Sequence, residues 1–192
     1  PRLMKINYEK LKDAYDIAAV SYYENKYVVG GWGINPWGDD ESVACEIWKS
    51  NKVDGRIVSL GCGSGQDIRI LDFPDKDKFV GYDISEKMLS NAAKKHSGYT
   101  YKIQDCSVGF KENCDVLFSV FGTPNYIGTD KLIEHYKSFK ASSAFFVFYA
   151  EWYNDGFDTD YYQYTVEDLS NTFKDYDPEI IPIRNNYICV RW

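Results

Sequence analysis

The chain has 192 residues, 44% of them hydrophobic and 27% charged, with a formal net charge of −7. This length suits one folded domain with a sizeable core, not two. The acidic balance argues against a broad phosphate-binding face, which needs clustered Lys and Arg, so nucleic acid is not a favoured partner.

Five cysteines at positions 45, 62, 106, 114 and 189 form no Cys-x-x-Cys pair. An odd, scattered count points to free thiols in a reducing compartment. Only two histidines are present and neither lies near a cysteine group, so no metal site is expected. The longest mainly apolar run, 144–150, is too short to span a bilayer. No charged start followed by an apolar stretch resembles a signal peptide. The expectation is a cytoplasmic, soluble protein with no membrane partner. Aromatic content of 17%, with 17 Tyr and 5 Trp, fits either core packing or an aromatic-lined small-molecule pocket.

In chain order, residues 8–20 read as an amphipathic helix with Leu11, Tyr15, Ala18 and Ala19 on one face. A glycine- and aromatic-rich stretch follows, including Tyr22, Tyr23, Gly30, Gly31, Trp32, Trp37 and Gly38. Such irregular segments form lids or binding loops on a rigid scaffold. Residues 1–50 are therefore expected to be a helical, aromatic lid segment, and 51–192 the core of the same domain. Beyond them, strands at 56–60, 78–82, 99–103, 115–121 and 144–150 alternate with helices at 85–95, 130–139 and 165–173. The strand runs are apolar rather than alternating, as for strands buried on both faces. Ser85 is a plausible N-cap, and Thr165 with Asp168 has capping-box spacing. Residues 179–183 and 187–192 flank an Asn-Asn turn and predict a closing hairpin, with no substrate domain after it. The predicted fold is α/β, a doubly wound, mostly parallel seven-stranded sheet ending in an antiparallel hairpin.

The most informative segment is Ile57-Val58-Ser59-Leu60-Gly61-Cys62-Gly63-Ser64-Gly65-Gln66-Asp67, followed one strand later by Asp83. Glycines let backbone approach a ligand closely, and a carboxylate one strand on can accept ribose hydroxyls. A nicotinamide fingerprint needs its third small residue where Gln66 stands, which makes a dehydrogenase a distant reading.

With glycines at 61, 63 and 65, then Asp83, Ser85, Met88 and Leu89, then Asp105-Cys106, the chain resembles the class I S-adenosylmethionine-dependent methyltransferases, small-molecule type. The resemblance covers roughly 50–192 and is silent on substrate. It implies S-adenosyl-L-methionine as cofactor and S-adenosyl-L-homocysteine as product. It implies that Gly61, Gly63 and Gly65, with Cys62 between them, face the methionine and ribose parts. Asp83 would hold the ribose hydroxyls, Ile84 and Met88 would flank the adenine, and Asp105 would accept its amino group beside the Cys106 backbone. Ser119 and Val120 would contact the methionine end, with Phe121 and Tyr126 walling the acceptor. The Tyr15-Asp16 … Tyr22 arrangement is similar to the lid of small-molecule methyltransferases, whose tyrosines approach the cofactor. Tyr23 and Trp32 fall in the same segment as candidate substrate contacts.

Thr123-Pro124-Asn125-Tyr126 lacks the Asn/Asp-Pro-Pro-Tyr/Phe motif of adenine- and glutamine-directed enzymes, which counts against those acceptors. Tyr22 and His135 are candidates for handling the acceptor proton. His96 ends a helix rich in lysine, where the dipole favours a cation, and reads as a cap. Cys62 and Cys106 read as small apolar fillers. The leading expectation is methyl transfer to N or O of a small molecule. A protein or RNA acceptor, or a non-catalytic cofactor-binding module, are the alternatives. Oligomeric state is not legible.

Overall fold

The computed structural model describes residues 6–23, 38–151 and 160–192, and their side chains except at 20–23 and 38. These residues build one seven-stranded sheet in the order β3-β2-β1-β4-β5-β7-β6. The strands β1 (Ile57–Leu60), β2 (Phe79–Asp83), β3 (Thr100–Ile103), β4 (Val116–Ser119) and β5 (Ser143–Tyr149) are parallel. The hairpin β6 (Glu179–Ile183) and β7 (Tyr187–Arg191) adds antiparallel to β5. This is the doubly wound, mostly parallel architecture that the alternating runs predict. Strand order reverses between β1 and β4, which opens a crevice at their carboxyl ends.

β1, β2, β4 and β5 are buried throughout, as their apolar runs require. β3 departs from that expectation: Thr100, Lys102 and Ile103 are exposed, because this strand is the sheet edge. The fourth strand is also shorter than predicted. It stops at Ser119 because Phe121 and Gly122 turn left-handed, with φ of 52° and 90°.

The helices are α1 (Tyr8–Tyr23), α2 (Gly38–Ser50), α3 (Gln66–Ile70), α4 (Glu86–Lys95), α5 (Thr123–Ile127), α6 (Thr129–Ser138) and α7 (Val166–Phe173). Ser85 caps α4 by accepting from Met88 N at 3.1 Å, and its Met88, Leu89 and Ala92 are buried. Thr165 and Asp168 close a reciprocal capping box at α7. Helix α2 is not anticipated from the sequence, although Asp39, Asp40 and Glu41 complement the dipole of its first turn. Its apolar residues are few and spaced among charges, and the core to which they pack is distant in sequence.

That core has two faces. Along β5, Phe145, Val147 and Tyr149 pack on one side of the sheet with Trp48, Ile68, Ile70 and Phe118. Ala144, Phe146 and Phe148 face the other, with Leu132, Phe139, Leu169 and Phe173. Trp48 of α2 lies edge-on to Phe118 and Phe145 at 6.1 and 5.7 Å, and those two rings stack at 5.3 Å. The aromatic richness is thus in large part core packing.

Trp48 is 2% exposed and is the side chain that holds α2 to the sheet. Trp48→Ala is expected to cost about 3–5 kcal/mol, transfer energy plus a cavity. Denaturant unfolding followed by circular dichroism measures it; a loss below about 1 kcal/mol would mean that α2 repacks without its anchor.

Candidate active site

β1 delivers the chain into a turn where Gly61, Gly63 and Gly65 have φ of 72°, 53° and 92°. L-residues pay for that left-handed conformation and glycine does not. Gly61 N and Cys62 N both donate to Tyr82 O of β2, at 2.7 and 3.0 Å, which hooks the turn onto the neighbouring strand. A Cβ on Gly61 would overlap the Thr123 side chain, whereas one on Gly63 would point into open space. The turn is therefore packed on one side and open on the other.

The open side is a cleft of about 750 Å³ at the crevice between β1 and β4. It is lined by the turn, by the carboxyl ends of β1, β2 and β4, by the loop after β3, and by one face of α1. Asp83 ends β2 on its wall and is 8% exposed. Its Oδ2 accepts from Gly63 N and its Oδ1 from Ser85 N, both at 2.9 Å. Burial pushes the Asp83 carboxyl up to about 6, against the lowering effect of these amide donors. Ile84 and Met88 lie beside it.

In the loop after β3, Asp105 Oδ1 accepts from Ser107 N at 2.8 Å and Ser107 Oγ at 2.6 Å. Gln104 Nε2 donates to the Asp105 carbonyl at 2.9 Å. Val120 and Phe121 enter from the end of β4 and Tyr126 from α5. Helix α1 supplies Tyr8, Leu11 and Tyr15, residues at i, i+3 and i+7 on one face. Tyr8 Oη donates to Tyr126 O at 2.8 Å, and Tyr15 meets the Tyr126 ring edge-on at 6.3 Å.

The cleft thus gathers Gly61, Gly63, Asp83, Ile84, Met88, Asp105, Cys106, Val120, Tyr15, Phe121 and Tyr126 of the residues predicted from sequence. Gly65 instead packs against Ala92 and His96 of α4. Cys62 is buried against Gly81, and burial pushes its thiol and that of Cys106 well up, so neither is a nucleophile in waiting. Ser119 is buried with its Oγ donating to Leu60 O at 2.9 Å, tying β4 to β1 beneath the cleft. Sequence reasoning missed Tyr8, Ser64, Gln66, Gln104, Ser107, Thr123 and Ile127. The helical spacing of Tyr8 with Leu11 and Tyr15 was a usable signal for the first of them.

Two histidine expectations change. His135 is 1% exposed and does not reach the cleft. Its Nε2–H donates to Cys106 O at 2.7 Å, and its ring stacks on Phe139 and tilts against Phe110. Burial lowers its pKa, so it is a neutral prop behind the Asp105–Cys106 loop and not a base. His96 does end α4, with its N–H donating to Ala92 O, but it is no cation. Burial and the nearby Arg69 and Lys95 lower its pKa to about 4. The side chains of Tyr22 and Tyr23, and Trp32 as a whole, lie outside the described residues.

Among the described residues no helix is long and apolar enough to cross a membrane, and no group of His, Cys, Asp or Glu suits a metal ion. Residues 58–133 match the model of a family described as a methyltransferase domain. The sequence matches no curated protein. The fold is similar to that of the DhpI–SAM–HEP complex, with a TM-score of 0.72, 13% identity and 96% of each chain covered. It is also similar to magnesium protoporphyrin IX methyltransferase of Synechocystis PCC 6803 with bound SAH. There the TM-score is 0.65 at 17% identity, over 96% of this chain and 98% of that one. A putative methyltransferase in complex with the Haloferax volcanii Trm112 activator gives 0.65 at 16%, over 89% and 77% of the two chains. The fold is thus that of these methyltransferases, and the segment matching the methyltransferase-domain model carries the glycine turn, Asp83 and Asp105.

The two faces of the glycine turn separate by substitution. Gly61→Ala is expected to destabilise the free protein by more than 2 kcal/mol, strain plus the clash with Thr123. Gly63→Ala should cost only about 1–2 kcal/mol of strain, yet abolish binding of S-adenosylhomocysteine, since its methyl enters the cleft. Melting curves with and without that ligand read both effects; equal behaviour of the two variants would mean that the turn faces the cleft differently.

Proposed function

We propose that this enzyme transfers the cofactor's methyl group to nitrogen or oxygen of a small-molecule acceptor. The observation that carries the reading is the cleft itself. It is lined by Asp83, Ile84, Met88 and Asp105 together with the rings of Tyr15, Phe121 and Tyr126. No Lys or Arg lines it among the described residues, which favours a small acceptor over a polyanion.

The residues fit the cofactor in three respects. The Cβ direction of Gly63 leaves space against the backbone, as a closely approaching ligand requires. The Ser64 hydroxyl is buried on the cleft wall with no partner among the described residues. Asp83 is an acceptor already oriented by two amides, ready for a pair of ribose hydroxyls. Asp105 with the Cys106 backbone would hold the adenine edge, and Ile84 and Met88 its faces. When bound, the cofactor supplies a methyl group already activated by sulfonium charge. The protein then has to orient the acceptor in line and exclude water.

No described residue is suited to act as a strong base there. Tyr8 Oη donates to a carbonyl, and burial pushes its pKa up to about 12, so its proton stays on. The acceptor would therefore shed its own proton to water before attack, as an amine or an acidic hydroxyl can.

Two experiments bear on this reading. The first follows label from methyl-labelled S-adenosylmethionine into panels of small amines, acids and alcohols, with total RNA and bulk protein as parallel acceptors. Label in small molecules is expected; label confined to RNA or protein would replace the reading. The second is a pH titration of S-adenosylhomocysteine affinity by calorimetry. Ribose hydroxyls donate to the ionised form of Asp83, so binding favours the carboxylate. Affinity should be full above about pH 7 and fall by roughly tenfold per unit well below pH 6. Asp83→Asn should bind about 10–100-fold more weakly at pH 8, with a flat profile down to pH 5. A flat wild-type profile would remove Asp83 from the ribose role.

A further inference from the structure

Helix α1 is fastened over the cleft by three hydrogen bonds. At its start, Tyr8 Oη donates to Tyr126 O at 2.8 Å. Two turns on, Asp16 Oδ1 accepts from Ser85 Oγ at 2.6 Å. Between these points Leu11 and Tyr15 form part of the cleft wall. Ala18 and Ala19 pack on Met88 beyond the second, where Asn91 Nδ2 donates to Ala19 O at 2.9 Å.

The second fastening is tied to the cofactor wall through one residue. Ser85 is fully buried, and three of its hydrogen bonds link these parts. Its hydroxyl proton goes to Asp16, its oxygen accepts from Met88 N at 3.1 Å, and its backbone N–H holds Asp83 Oδ1 at 2.9 Å. A hydroxyl can donate once and accept at the same time, so the helix cap and the α1 contact do not compete. Donation to an ionised acceptor is the stronger kind of hydrogen bond. Asp16 also pairs with Lys12, at 3.0 Å, but Lys12 does not line the cleft and that pair lies within α1 itself.

We propose that Asp16 is a latch: through Ser85 it holds α1 closed on the cleft, and so sets how long the bound nucleotide is retained. It is a positioning residue. It does not line the cleft, and acts by keeping Tyr8, Leu11 and Tyr15 over the ligand. The proposal rests on the cofactor reading of the cleft and adds to it a residue with no direct ligand contact.

The test measures release of labelled S-adenosylhomocysteine from the full chain after dilution into excess unlabelled ligand. Asp16→Ala should release about tenfold faster, the loss of one charge-assisted hydrogen bond. Its ligand-free melting temperature should change little, because Ser85 still caps α4. Asp16→Asn keeps an acceptor for the Ser85 hydroxyl and should restore most of the retention. Lys12→Ala should release as wild type does. Asp16→Glu preserves charge and helix propensity while displacing the acceptor from Ser85, so it too should release faster, and it serves where the alanine variant folds poorly. Wild-type release rates in both Asp16→Ala and Asp16→Glu, or an acceleration matched by Lys12→Ala, would overturn the latch. A wild-type protein that retains no S-adenosylhomocysteine would overturn the cofactor reading, and the latch with it; normal wild-type retention with unchanged variants would overturn the latch alone.

Discussion

One backbone oxygen organises the glycine-turn side of the cleft. Tyr82 O accepts from both Gly61 N and Cys62 N, so the turn after β1 is bolted to the last residues of β2. Asp83 follows Tyr82 directly, and the bolt fixes the acid relative to the Gly63 amide that donates to it. Turn and carboxylate are thus one rigid unit. The requirement for left-handed backbone at alternate positions follows from that geometry. Only glycine meets it without strain while leaving the Gly61 side packed against Thr123 and the Gly63 side open.

That unit explains why the glycine-turn side of the cleft was legible in the sequence and the rest was not. The glycines, Asp83, the Ser85 cap and the buried stripe of α4 all lie within one local β-turn-α stretch and its neighbour strand, where spacing alone carries the geometry. Parallel strands buried on both faces also announce themselves as apolar runs. By contrast, β3 reads like its neighbours because exposure at a sheet edge depends on what is absent beside it. His135 carries the same ambiguity. Its position on α6 leaves open whether the ring faces cleft or core, and the choice is made by Phe110 and the Cys106 carbonyl, some 25 and 29 residues earlier in the chain. For His96 the helix dipole gave one answer and burial the opposite one. Desolvation acting together with two neighbouring cations outweighs the favourable end charge.

The roof of the cleft belongs to a different level of organisation. α1 makes its contacts with α4 and α5, and none of its hydrogen bonds to the core is a strand ladder. Its attachment combines these polar contacts with Ala18 and Ala19 on Met88 and with Leu11, which is buried in the core against which Tyr8 and Tyr15 pack. Side-chain contacts of this kind at the margin of a core are ones that can open to admit and release a ligand. The sheet beneath has no such freedom, since Ser119 Oγ spans from β4 to Leu60 O directly under the crevice. A floor tied together by the sheet under a roof fastened by side chains suits a site that encloses a ligand and then exchanges it.

The Phe121 part of the cleft draws its shape from the neighbouring strands β5 and β7. Phe121 is a non-glycine residue at φ 52°, followed by Gly122 at φ 90°, and two such conformations in succession persist only where surroundings over-determine them. Here the surroundings are the rings of the C-terminal hairpin and its neighbour strand. Phe121 stands edge-on to Tyr187 of β7 at 4.7 Å, and a Cβ on Gly122 would overlap the Tyr149 ring of β5. Tyr149 in turn contacts Tyr126 and Tyr161 at 6.3 and 5.0 Å. The antiparallel hairpin therefore does more than close the sheet. By inserting β7 beside β5 it supplies the aromatic buttress behind the left-handed pair that ends β4, so the Phe121 wall of the cleft is set by packing across β5 and β7, while the glycine turn and Asp83 are set across β1 and β2.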